Sequence, residues 1–365
     1  MTLRFSLCFC SWITLLLGFA SVSVAGPPRV EATNIRRVFH NGEHNAFTDL
    51  IKWKDRYWLT FRTCPDGHMV HPTASIMILS SADLKEWRQE HRFSVAKRDT
   101  RDPHFLKFKG SLFVYTGTWY CGDTSPARED YTLNRHLGYA AWTGDGKSWK
   151  SPVMLEGTFG HYIWRAASYD GKAYLCGRRN REFDITAIGE GTSVESAMLE
   201  SDDGLIWRTR TLFQEARGDE TAFLFEPDGR ILAIGRCFPD AQLLESSPPW
   251  TTWKRREFDR HIGGPLLVKW GEHYLVGGRK SDKDLVGDRG PKTALYWLNK
   301  DAEDAEGLLT EFVELPSGGD NSYPGFLELS PTRAVVSWYS SHEKNDAGEG
   351  ITAIYMADLE IKEAQ

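Results

Sequence analysis

The sequence predicts an all-β fold, and more narrowly a six-bladed β-propeller, from three observations. The 365 residues include 14 Trp, 13 Tyr, 19 Phe and 33 Gly, a mixture of strand-favouring and turn-favouring residues. A hairpin pattern, with two β-favouring runs around a polar turn, recurs along the chain. A short polar turn that ends in Trp recurs between those hairpins. Together these observations favour many small sheets and disfavour helical bundles.

The hairpin pattern occurs six times. Each copy has an apolar run, a turn and a second apolar run, and the copies cover residues 47–62, 101–117, 162–178, 219–236, 263–279 and 323–340. Four-stranded sheets repeated around an axis leave only short, protected sheet edges. The repeat therefore explains how a chain with so many strands stays soluble.

Three segments between the hairpins share a Ser/Thr-x-Asp-x-x-x-Trp frame. They are SADLKEW (81–87), TGDGKSW (143–149) and SDDGLIW (201–207), and SSPPWTTW (246–253) is a looser form. The polar residues predict a turn that closes a hairpin, and the Trp is expected to pack behind it. The interval of roughly 60 residues between frames agrees with the hairpin repeat.

The two ends of the chain are expected to share the last blade. Residues 351–359 alternate between apolar and polar, as in a half-buried strand, and a strand near Ile35–His40 is expected beside it. No linker divides the chain, so residues 26–365 are predicted to form a single domain. The polar segments 179–194 and 280–292 are expected to be loops over one face.

The first residues are predicted to be a secretory signal peptide, residues 1–25. Arg4 precedes an apolar run that ends at Phe19, and the small residues Ser23 and Ala25 lie at suitable positions before the cleavage site. The run is short for a membrane span. The expected location is therefore secreted or periplasmic, with no membrane association after cleavage.

The net charge and the motifs exclude several classes of ligand, and the cysteine content leaves the disulfide state open. The formal net charge of −6 argues against general binding to nucleic acids or anionic membranes. No phosphate-binding, dinucleotide-binding or zinc-binding fingerprint lies in a suitable setting, so no cofactor and no metal are expected. One or two disulfides and buried free thiols are both compatible with the four cysteines left after signal removal, which are Cys64, Cys121, Cys176 and Cys237.

In a propeller, the innermost strand of each blade begins near the central axis, so equivalent strand starts converge. These starts are Asp49, Asp102, Arg165, Glu220, Pro265 and Tyr323. The strands that run back carry Arg62, Arg178, Arg236 and Arg279 toward one rim. Strand parity brings both groups to one face only if the intervening residues include a loop. Because buried carboxylates are costly unless they are paired, the sequence predicts a polar cavity at the axis.

The repeats resemble the sialidase superfamily, and more narrowly the exported bacterial proteins described as exo-sialidase-like or BNR-repeat glycoside hydrolases. Besides the Asp-containing frames and the six units, the resemblance rests on residues 47–62, RDPHF (101–105), GDET (218–221), IGGPLL (262–267), SGGDNSYPG (317–325) and VSWYSSHE (336–343). It covers nearly all of the chain after the signal. It implies a secreted hydrolase that cleaves a terminal sugar from an oligo- or polysaccharide.

The resemblance also implies a catalytic pair. Sialidases replace the usual carboxylate nucleophile with a Tyr that is assisted by a Glu. Glu220 in GDETAF and Tyr323 in NSYPGF match these positions. A free phenol, with a pKa of about 10, is a poor nucleophile at neutral pH, and a neighbouring carboxylate can take its proton as it attacks an anomeric carbon.

The acid of sialidases is an Asp on a loop between first-blade strands. Here that loop is TCPDGHMVHP (63–72), in which Asp66 is the nearest match and His68 and His71 are alternatives. The aromatic residues expected either to stack on sugars or to pack between blades are Trp119, Tyr120, Tyr162 and Trp164.

The chain departs from the sialidase pattern at its first arginine. Sialidases hold the substrate carboxylate with three arginines, and the first of these opens the first-blade strand. This chain has Phe47, Thr48 and Asp49 there, and an acid would repel a sugar carboxylate. Sialic acid is therefore not the expected substrate, and a neutral sugar or a differently arranged acidic sugar is favoured. The candidate substrate-binding residues are Arg62, Arg165, Arg236, Arg279 and His161.

Three alternatives remain open at this point. Asp49, Asp102 and Glu220 fit, in order, the three carboxylates of five-bladed arabinosidase- or invertase-like hydrolases. A second alternative is a propeller that binds glycans without catalysis. A third is a polysaccharide lyase with His161 and Arg165 as base and neutralising cation.

Overall fold

The protein forms six four-stranded antiparallel sheets arranged as a β-propeller, which confirms the predicted fold class. The computed structural model describes residues 26–185, 191–280 and 290–362, and the predicted signal peptide lies outside these residues. Within the described residues, no helix is long and apolar enough to cross a membrane.

The blades follow one another along the chain, and each runs outward from the axis. Blade I contains β2 (His44–Trp53), β3 (Arg56–Cys64), β4 (Ser75–Ser81) and β5 (Arg88–Phe93). Blade II contains β6 (Arg98–Phe108), β7 (Ser111–Tyr120), β8 (Leu137–Thr143) and β9 (Trp149–Met154). Blade III contains β10 (Tyr162–Tyr169), β11 (Lys172–Asn180), β12 (Val194–Ser201) and β13 (Arg208–Gln214).

The remaining blades complete the ring. Blade IV contains β14 (Thr221–Phe225), β15 (Ile231–Gly235), β16 (Gln242–Ser246) and β17 (Lys254–Glu257). Blade V contains β18 (Gly263–Trp270), β19 (His273–Lys280), β20 (Lys292–Leu298) and β21 (Leu309–Leu315). Blade VI contains β22 (Asn321–Ser330), β23 (Arg333–Lys344), β24 (Gly350–Lys362) and, on its outer edge, β1 (Arg29–Phe39).

Blade VI joins the two ends of the chain, as the sequence predicted. β1 pairs antiparallel with β24 from Arg29 opposite Lys362 to Phe39 opposite Ile354. The pairing begins several residues before the predicted strand near Ile35. The main-chain hydrogen bonds of this pair hold the ring closed.

Five of the six innermost strands carry a register shift near their start, and only β14 does not. The shifts lie between Ala46 and Asp49, Arg101 and His104, Trp164 and Ala166, Gly263 and Leu266, and Ser322 and Gly325. An extra residue in one strand bends it and redirects side chains. In three of these strands the shift contains a proline, which has no N–H to offer the ladder: Pro103, Pro265 and Pro324.

These shifts answer the parity question that the sequence raised. The arginines on the returning strands lie opposite the strand starts, as Arg62 does opposite Ala46 and Arg178 opposite Tyr162. The irregularity that brings acids and arginines to the same end of the blades is a bulge within the inner strand, in place of the predicted loop. Phe47, Asp102 and Tyr323 adopt φ values of 63°, 52° and 51° there, in the left-handed region that non-glycine residues rarely occupy.

The three Asp-containing frames fold into the same turn between the third and fourth strands of blades I to III. In the third frame, the Ser201 hydroxyl accepts the N–H of Gly204, and Asp203 Oδ1 accepts the N–H groups of Leu205 and Ile206 at 2.8 and 2.9 Å. In the second frame, the equivalent N–H groups of Ser148 and Lys147 lower the pKa of Asp145. The looser fourth frame lacks the aspartate.

The apolar faces of neighbouring blades pack against each other around large aromatic side chains. Trp58, Trp164, Trp270 and Trp338 are among the largest fully buried residues. The four cysteines of the described residues are buried free thiols, so the thiol alternative applies. Burial raises the pKa of the Cys176 thiol to about 11, which makes it unreactive at neutral pH.

The two segments predicted as loops begin within strands. Residues 179–180 still belong to β11, and Lys280 is the last residue of β19. Residues 181–183 and 191–193 form short 3-10 turns. Residues 186–190 and 281–289 lie outside the described residues.

Candidate active site

Tyr323 and Glu220 are in direct contact at the axial end of blades VI and IV. The Tyr323 hydroxyl donates a hydrogen bond to Glu220 Oε1 at 2.6 Å. Arg236 Nη1 lies 2.9 Å from the other oxygen of Glu220 and 3.4 Å from the Tyr323 hydroxyl. The two residues lie 103 positions apart in sequence, and the closed propeller brings them together as the resemblance implied.

This pair is shielded from solvent, since Glu220 is 5% exposed and Tyr323 is 6% exposed. Burial, and then the negative charge of Glu220, raise the pKa of Tyr323 well above its ordinary value. The phenol is therefore neutral at rest and its proton is held toward Glu220. Arg236 opposes this shift and would stabilise a phenolate that forms as the proton leaves.

The Tyr323 ring packs on the backbone of Gly264. Gly264 has φ +57°, and a Cβ at this position would lie 2.7 Å from Cδ2 of Tyr323. A side chain would therefore meet both backbone strain and the ring itself. The glycine of IGGPLL thus fixes the place of the phenol.

Replacing Gly264 with Ala is expected to lower the free energy of unfolding by about 1–3 kcal/mol, because the left-handed backbone and the displaced ring both cost energy. Denaturant unfolding measures the change. Gly42→Ala is the matched control, since Gly42 has φ +83° but nothing lies within 4 Å of an added Cβ. Equal losses in the two variants would show that the ring contact contributes nothing.

Three arginines approach the pair from neighbouring blades. Arg178 Nη1 and Arg236 Nε lie 3.3 and 3.5 Å from the two oxygens of Asp219, so both share one carboxylate. The guanidinium of Arg279 lies 5.7 Å from the centre of the Tyr323 ring. Their side chains are 21–25% exposed, so each can still meet a ligand.

A second Tyr–carboxylate contact joins blades II and III. The Tyr162 hydroxyl donates to Asp102 Oδ2, and the buried Asp102 Oδ1 has no hydrogen-bond partner among the described residues. Burial, and then the charge of Glu220, raise the pKa of Asp102 to about 7. Asp102 therefore retains its proton in mildly acidic solution, although an exposed aspartate would lose it.

The raised pKa of Asp102 makes stability depend on pH. Between the unfolded value of about 3.9 and the folded value of about 7, the unfolded chain releases a proton that the folded chain keeps. The free energy of unfolding should therefore fall as pH rises through this range. Asp102→Asn lacks this term, so the variant should gain stability relative to the wild type from pH 4.5 to pH 7.

Denaturant unfolding at several pH values between 4.5 and 7 tests this dependence. Asp228→Asn is the control, because Asp228 is a largely exposed residue that pairs only with Arg230 among its described ion pairs. Parallel stability curves for the wild type and Asp102→Asn would contradict the prediction.

Asp49 and Arg165 brace the blades at the axis. Asp49 Oδ2 accepts the N–H of Phe105 at 2.8 Å, and Arg165 Nη1 lies 3.4 Å from Asp49 Oδ1. Arg165 also donates to the carbonyls of Pro265 and Pro324, at 3.2 and 2.9 Å. One arginine therefore links blades I, III, V and VI, and each of its three nitrogens has a protein partner.

The Asp49 carboxylate is held in its charged form. Burial opposes ionisation, but the contact with His104, the charge of Arg165 and the Phe105 N–H lower its pKa. Asp49 thus acts as an anionic partner within the framework, with both oxygens engaged.

Arg62 binds the loop 63–72 through hydrogen bonds to its backbone. It is fully buried and binds Asp99 through two nitrogens, at 3.1 and 2.8 Å, and the carbonyls of Gly67 and Met69 at 2.9 and 3.1 Å. Arg101 shares the same carboxylate at 3.1 and 2.6 Å. Burial opposes the charge of Asp99, but Arg101 and Arg62 outweigh it and lower the pKa to about 2.

Asp66 and His161 have partners away from the Tyr–Glu pair. Asp66 is exposed and accepts a hydrogen bond from the Thr73 hydroxyl at 2.5 Å. The two ring nitrogens of His161 lie 2.9 Å from the Phe159 carbonyl and 3.1 Å from Arg179 Nη1. Burial, and then Arg179, lower the pKa of His161 to about 4, so the ring is neutral.

Asp320 is a site residue that sequence reasoning missed. Its Oδ2 lies 2.8 Å from His68 Nδ1 and 3.0 Å from His44 Nε2, and its Oδ1 accepts from the Tyr339 hydroxyl at 2.8 Å. Asp320 precedes Tyr323 by three residues within SGGDNSYPG, so its position beside the predicted nucleophile was the available signal.

Among the described residues, His44, His68 and Asp320 form the one group whose donor atoms are close enough to hold a metal ion, within 4.8 Å of one another. Arg62 Nη1, however, lies 3.4 Å from His44 Nδ1. A ring that binds a metal through Nε2 carries its proton on Nδ1, and that N–H would face the N–H of an arginine. The surroundings therefore favour a hydrogen-bonded network over a cation.

Two adjoining cavities lie near the pair, with volumes of about 860 and 440 Å³, a size suited to small ligands. Arg128 and Arg178 line both. His68, Arg101 and Trp119 line the larger cavity, together with the 3-10 segment around residues 128–133. Glu220 and Tyr323 are not among the lining residues, but Asp219 and Arg236 line the smaller cavity and connect it to the pair.

Among the aromatic residues expected to stack on sugars or to pack between blades, Tyr162 and Trp164 are buried between blades, whereas Trp119 is half-buried.

Solved structures with the same fold include sialidases. A protein of unknown function from Dyadobacter fermentans aligns with a TM-score of 0.73 at 20% identity, over 92% of this chain and 100% of that chain. A Trypanosoma rangeli sialidase in complex with sialic acid aligns at 0.63 and 12% identity, over 92% of this chain and 59% of that chain. The Hadza microbial sialidase Hz136 aligns at 0.61 and 12% identity, over 86% and 65%.

The chain thus spans less than two thirds of the length of these two sialidases. No protein-family model and no curated protein sequence matches it. At these identities the likeness shows the fold, which is sialidase-like.

Proposed function

We propose that the protein is a retaining glycoside hydrolase that removes a terminal sugar, with Tyr323 as nucleophile and Glu220 as its base. The observation that carries this proposal is the 2.6 Å hydrogen bond from the Tyr323 hydroxyl to Glu220, beside Arg236, which lines the smaller cavity. A phenol, a base and a cation in contact are the parts that an attacking phenolate needs. The sialidase-like fold supports the same reaction class.

The reaction has two steps. In the first, the Tyr323 oxygen bonds to the anomeric carbon, the glycosidic C–O bond breaks, Glu220 takes the phenolic proton, and the departing oxygen gains a proton and leaves as an alcohol. In the second, water attacks the same carbon and loses a proton, the Tyr–sugar bond breaks, and the phenolate recovers the proton from Glu220. Two displacements at one carbon retain the anomeric configuration.

The surroundings of Tyr323 support a sugar other than sialic acid. The segment 47–49, where a first substrate-binding arginine would open the blade, holds no arginine, and the Phe47 ring lies 4.8 Å from the Tyr323 ring. Arg178 and Arg236 already share Asp219, so part of their charge is neutralised. A neutral sugar, or an acidic one held mainly by Arg279, fits these features best.

The carboxylate triad of arabinosidase- or invertase-like enzymes is less well supported. Both oxygens of Asp49 are bound within the framework, to Phe105 N–H and to Arg165. A nucleophile or base needs an oxygen free to meet substrate or water. We therefore keep Asp102 and Glu220 in the proposed site, and assign Asp49 a structural part in it.

Hydrolysis of a panel of 4-nitrophenyl glycosides, including neutral hexoses, deoxyhexoses, uronic acids and sialic acid, tests the proposal. Glu220→Gln should lower the rate on the best substrate by about 100-fold or more, because the base is lost. Glu226→Gln is the matched control, since Glu226 accepts a hydrogen bond from Tyr274 at 2.5 Å outside these cavities. A wild type that hydrolyses nothing but still binds glycans would support the non-catalytic alternative. The secreted or periplasmic location is part of the same proposal.

A further inference from the structure

The proposed hydrolysis needs a proton for the departing glycosidic oxygen, and the inference drawn here rests on that proposed function. Asp66, the residue nearest to the acid of sialidases, is turned to Thr73 in an exposed part of the loop. Asp102 is 3% exposed and is held by Tyr162. Neither side chain lines the two cavities, whereas His68 lies in the wall of the larger one.

His68 is on that wall. Its side chain is 46% exposed and lines the larger cavity, and its Nδ1 lies 2.8 Å from Asp320 Oδ2. The Phe47 ring lies 6.0 Å from the His68 ring and 4.8 Å from the Tyr323 ring. The buried Phe47 ring thus lies beside both rings, which places His68 and Tyr323 in the same part of the molecule.

The contacts around Asp320 set the orientation of the His68 ring. Arginine only donates hydrogen bonds, so the contact of Arg62 Nη1 with His44 Nδ1 leaves the His44 proton on Nε2, where it points to Asp320. Tyr339 donates to the other oxygen of Asp320, and Arg279 lies 3.6 Å from that oxygen. Asp320 is thus held as an acceptor, and His68 presents Nδ1–H to it.

Because Nδ1 of His68 is bound to Asp320, the second ring nitrogen, Nε2, is the one that can meet a ligand in the cavity. The backbone of His68 is fixed as well, because Arg101 Nη2 donates to its carbonyl at 3.0 Å. A carboxylate on one imidazole nitrogen orients the ring and fixes which nitrogen carries the proton in the neutral form.

We propose that His68 is the acid and base of the glycosidase reaction and that Asp320 positions it. As the glycosidic C–O bond breaks and the Tyr323 oxygen bonds to the anomeric carbon, His68 Nε2–H gives its proton to the departing oxygen. The alcohol then leaves, and neutral His68 takes a proton from the water that attacks in the second step. Sugar and alcohol are released, one water is consumed, and His68 returns to its protonated form.

The leaving group of the substrate separates this role from a structural one. 2,4-Dinitrophenolate departs without protonation, whereas methanol does not. On the sugar with the highest wild-type rate, His68→Ala should lower kcat/KM for the methyl glycoside by about 1,000-fold and for the 2,4-dinitrophenyl glycoside by less than about 10-fold. Asp320→Asn should also lower kcat/KM more for the methyl glycoside than for the 2,4-dinitrophenyl glycoside, but by a smaller factor, because Asp320 acts through His68.

His273→Ala is the control. His273 is exposed at the hairpin turn of blade V, at the end opposite Arg279, so both substrates should be hydrolysed at the wild-type rate. A second readout needs no substrate: long-range proton–nitrogen NMR of 15N-histidine-labelled protein at alkaline pH, assigned with His68→Ala. Neutral His68 should carry its proton on Nδ1.

The outcomes are distinct. Equal losses on both substrates, unchanged rates in His68→Ala, or an Nε2–H tautomer would overturn the role of His68 while the Tyr–Glu mechanism stands. If a metal chelator slows the wild type on the methyl glycoside as much as His68→Ala does, the cluster acts through a bound cation. That result would also overturn the role of His68. A wild type inactive on the whole panel would overturn the proposed function and this inference with it.

Discussion

Tyr323→Phe is expected to reduce glycoside hydrolysis at least about 1,000-fold, because it removes the one oxygen that can bond to the anomeric carbon in the proposed mechanism. The ring itself remains, so its packing on Gly264 and Phe47 is preserved. The variant loses one hydrogen bond to Glu220, which costs about 1 kcal/mol of stability. Activity should therefore collapse while the fold persists.

Steady-state rates on the best aryl glycoside, together with denaturant unfolding, measure both effects. Tyr274→Phe is the matched control: it also removes a phenol that donates to a glutamate, Glu226, at 2.5 Å. The two variants should lose similar stability, and only Tyr323→Phe should lose activity. If Tyr323→Phe keeps more than about a tenth of the wild-type rate, Tyr323 is not the nucleophile.

Asp99→Ala is expected to lower the free energy of unfolding by about 3–5 kcal/mol, because it leaves two buried guanidinium groups without their shared counter-ion. Asp99 and Arg62 are fully buried, and Arg101 is 8% exposed. Asp99 Oδ2 also accepts the N–H of His71, so the loop 63–72 should loosen as well.

Denaturant unfolding at neutral pH tests this prediction, with Asp358→Ala as control. Asp358 pairs with Arg36 at 3.0 Å, but its side chain is 39% exposed, so the loss should stay below about 1 kcal/mol. The effect also has a pH window. The lowered pKa of Asp99 means that its contribution is complete above about pH 4 and is lost as pH falls toward about 2. Comparable losses in the two variants would refute the role of the buried pair.

The sequence predicted the propeller because its signals are local. Period-two alternation, turn residues and a repeated frame each act within a few residues, and sheet order follows from the repeat. The repeat predicted that equivalent strand starts meet at the axis, and the resemblance singled out Glu220 and Tyr323 among them. Even the closing strand at the N-terminus was placed within a few residues.

The sequence could not show which charged groups already neutralise each other. Arg62 and Arg165 carry the expected charge to the axis, but Asp99, Asp49 and backbone carbonyls occupy their donors. Those partners come from other blades and from an irregular loop, so no spacing along the chain announces them. Asp320 stands three residues before Tyr323, but it was missed because its importance depends on His68, which lies in the loop of a different blade.

The pairing of Arg29 with Lys362 places the two termini of the described chain side by side in one antiparallel ladder. A short linker between these termini would turn the β24–β1 strand pair into an ordinary hairpin, and new termini could be opened at an outer turn of another blade. Circular permutation should therefore preserve the architecture, since the order in which the blades are synthesised is separable from the geometry that they form.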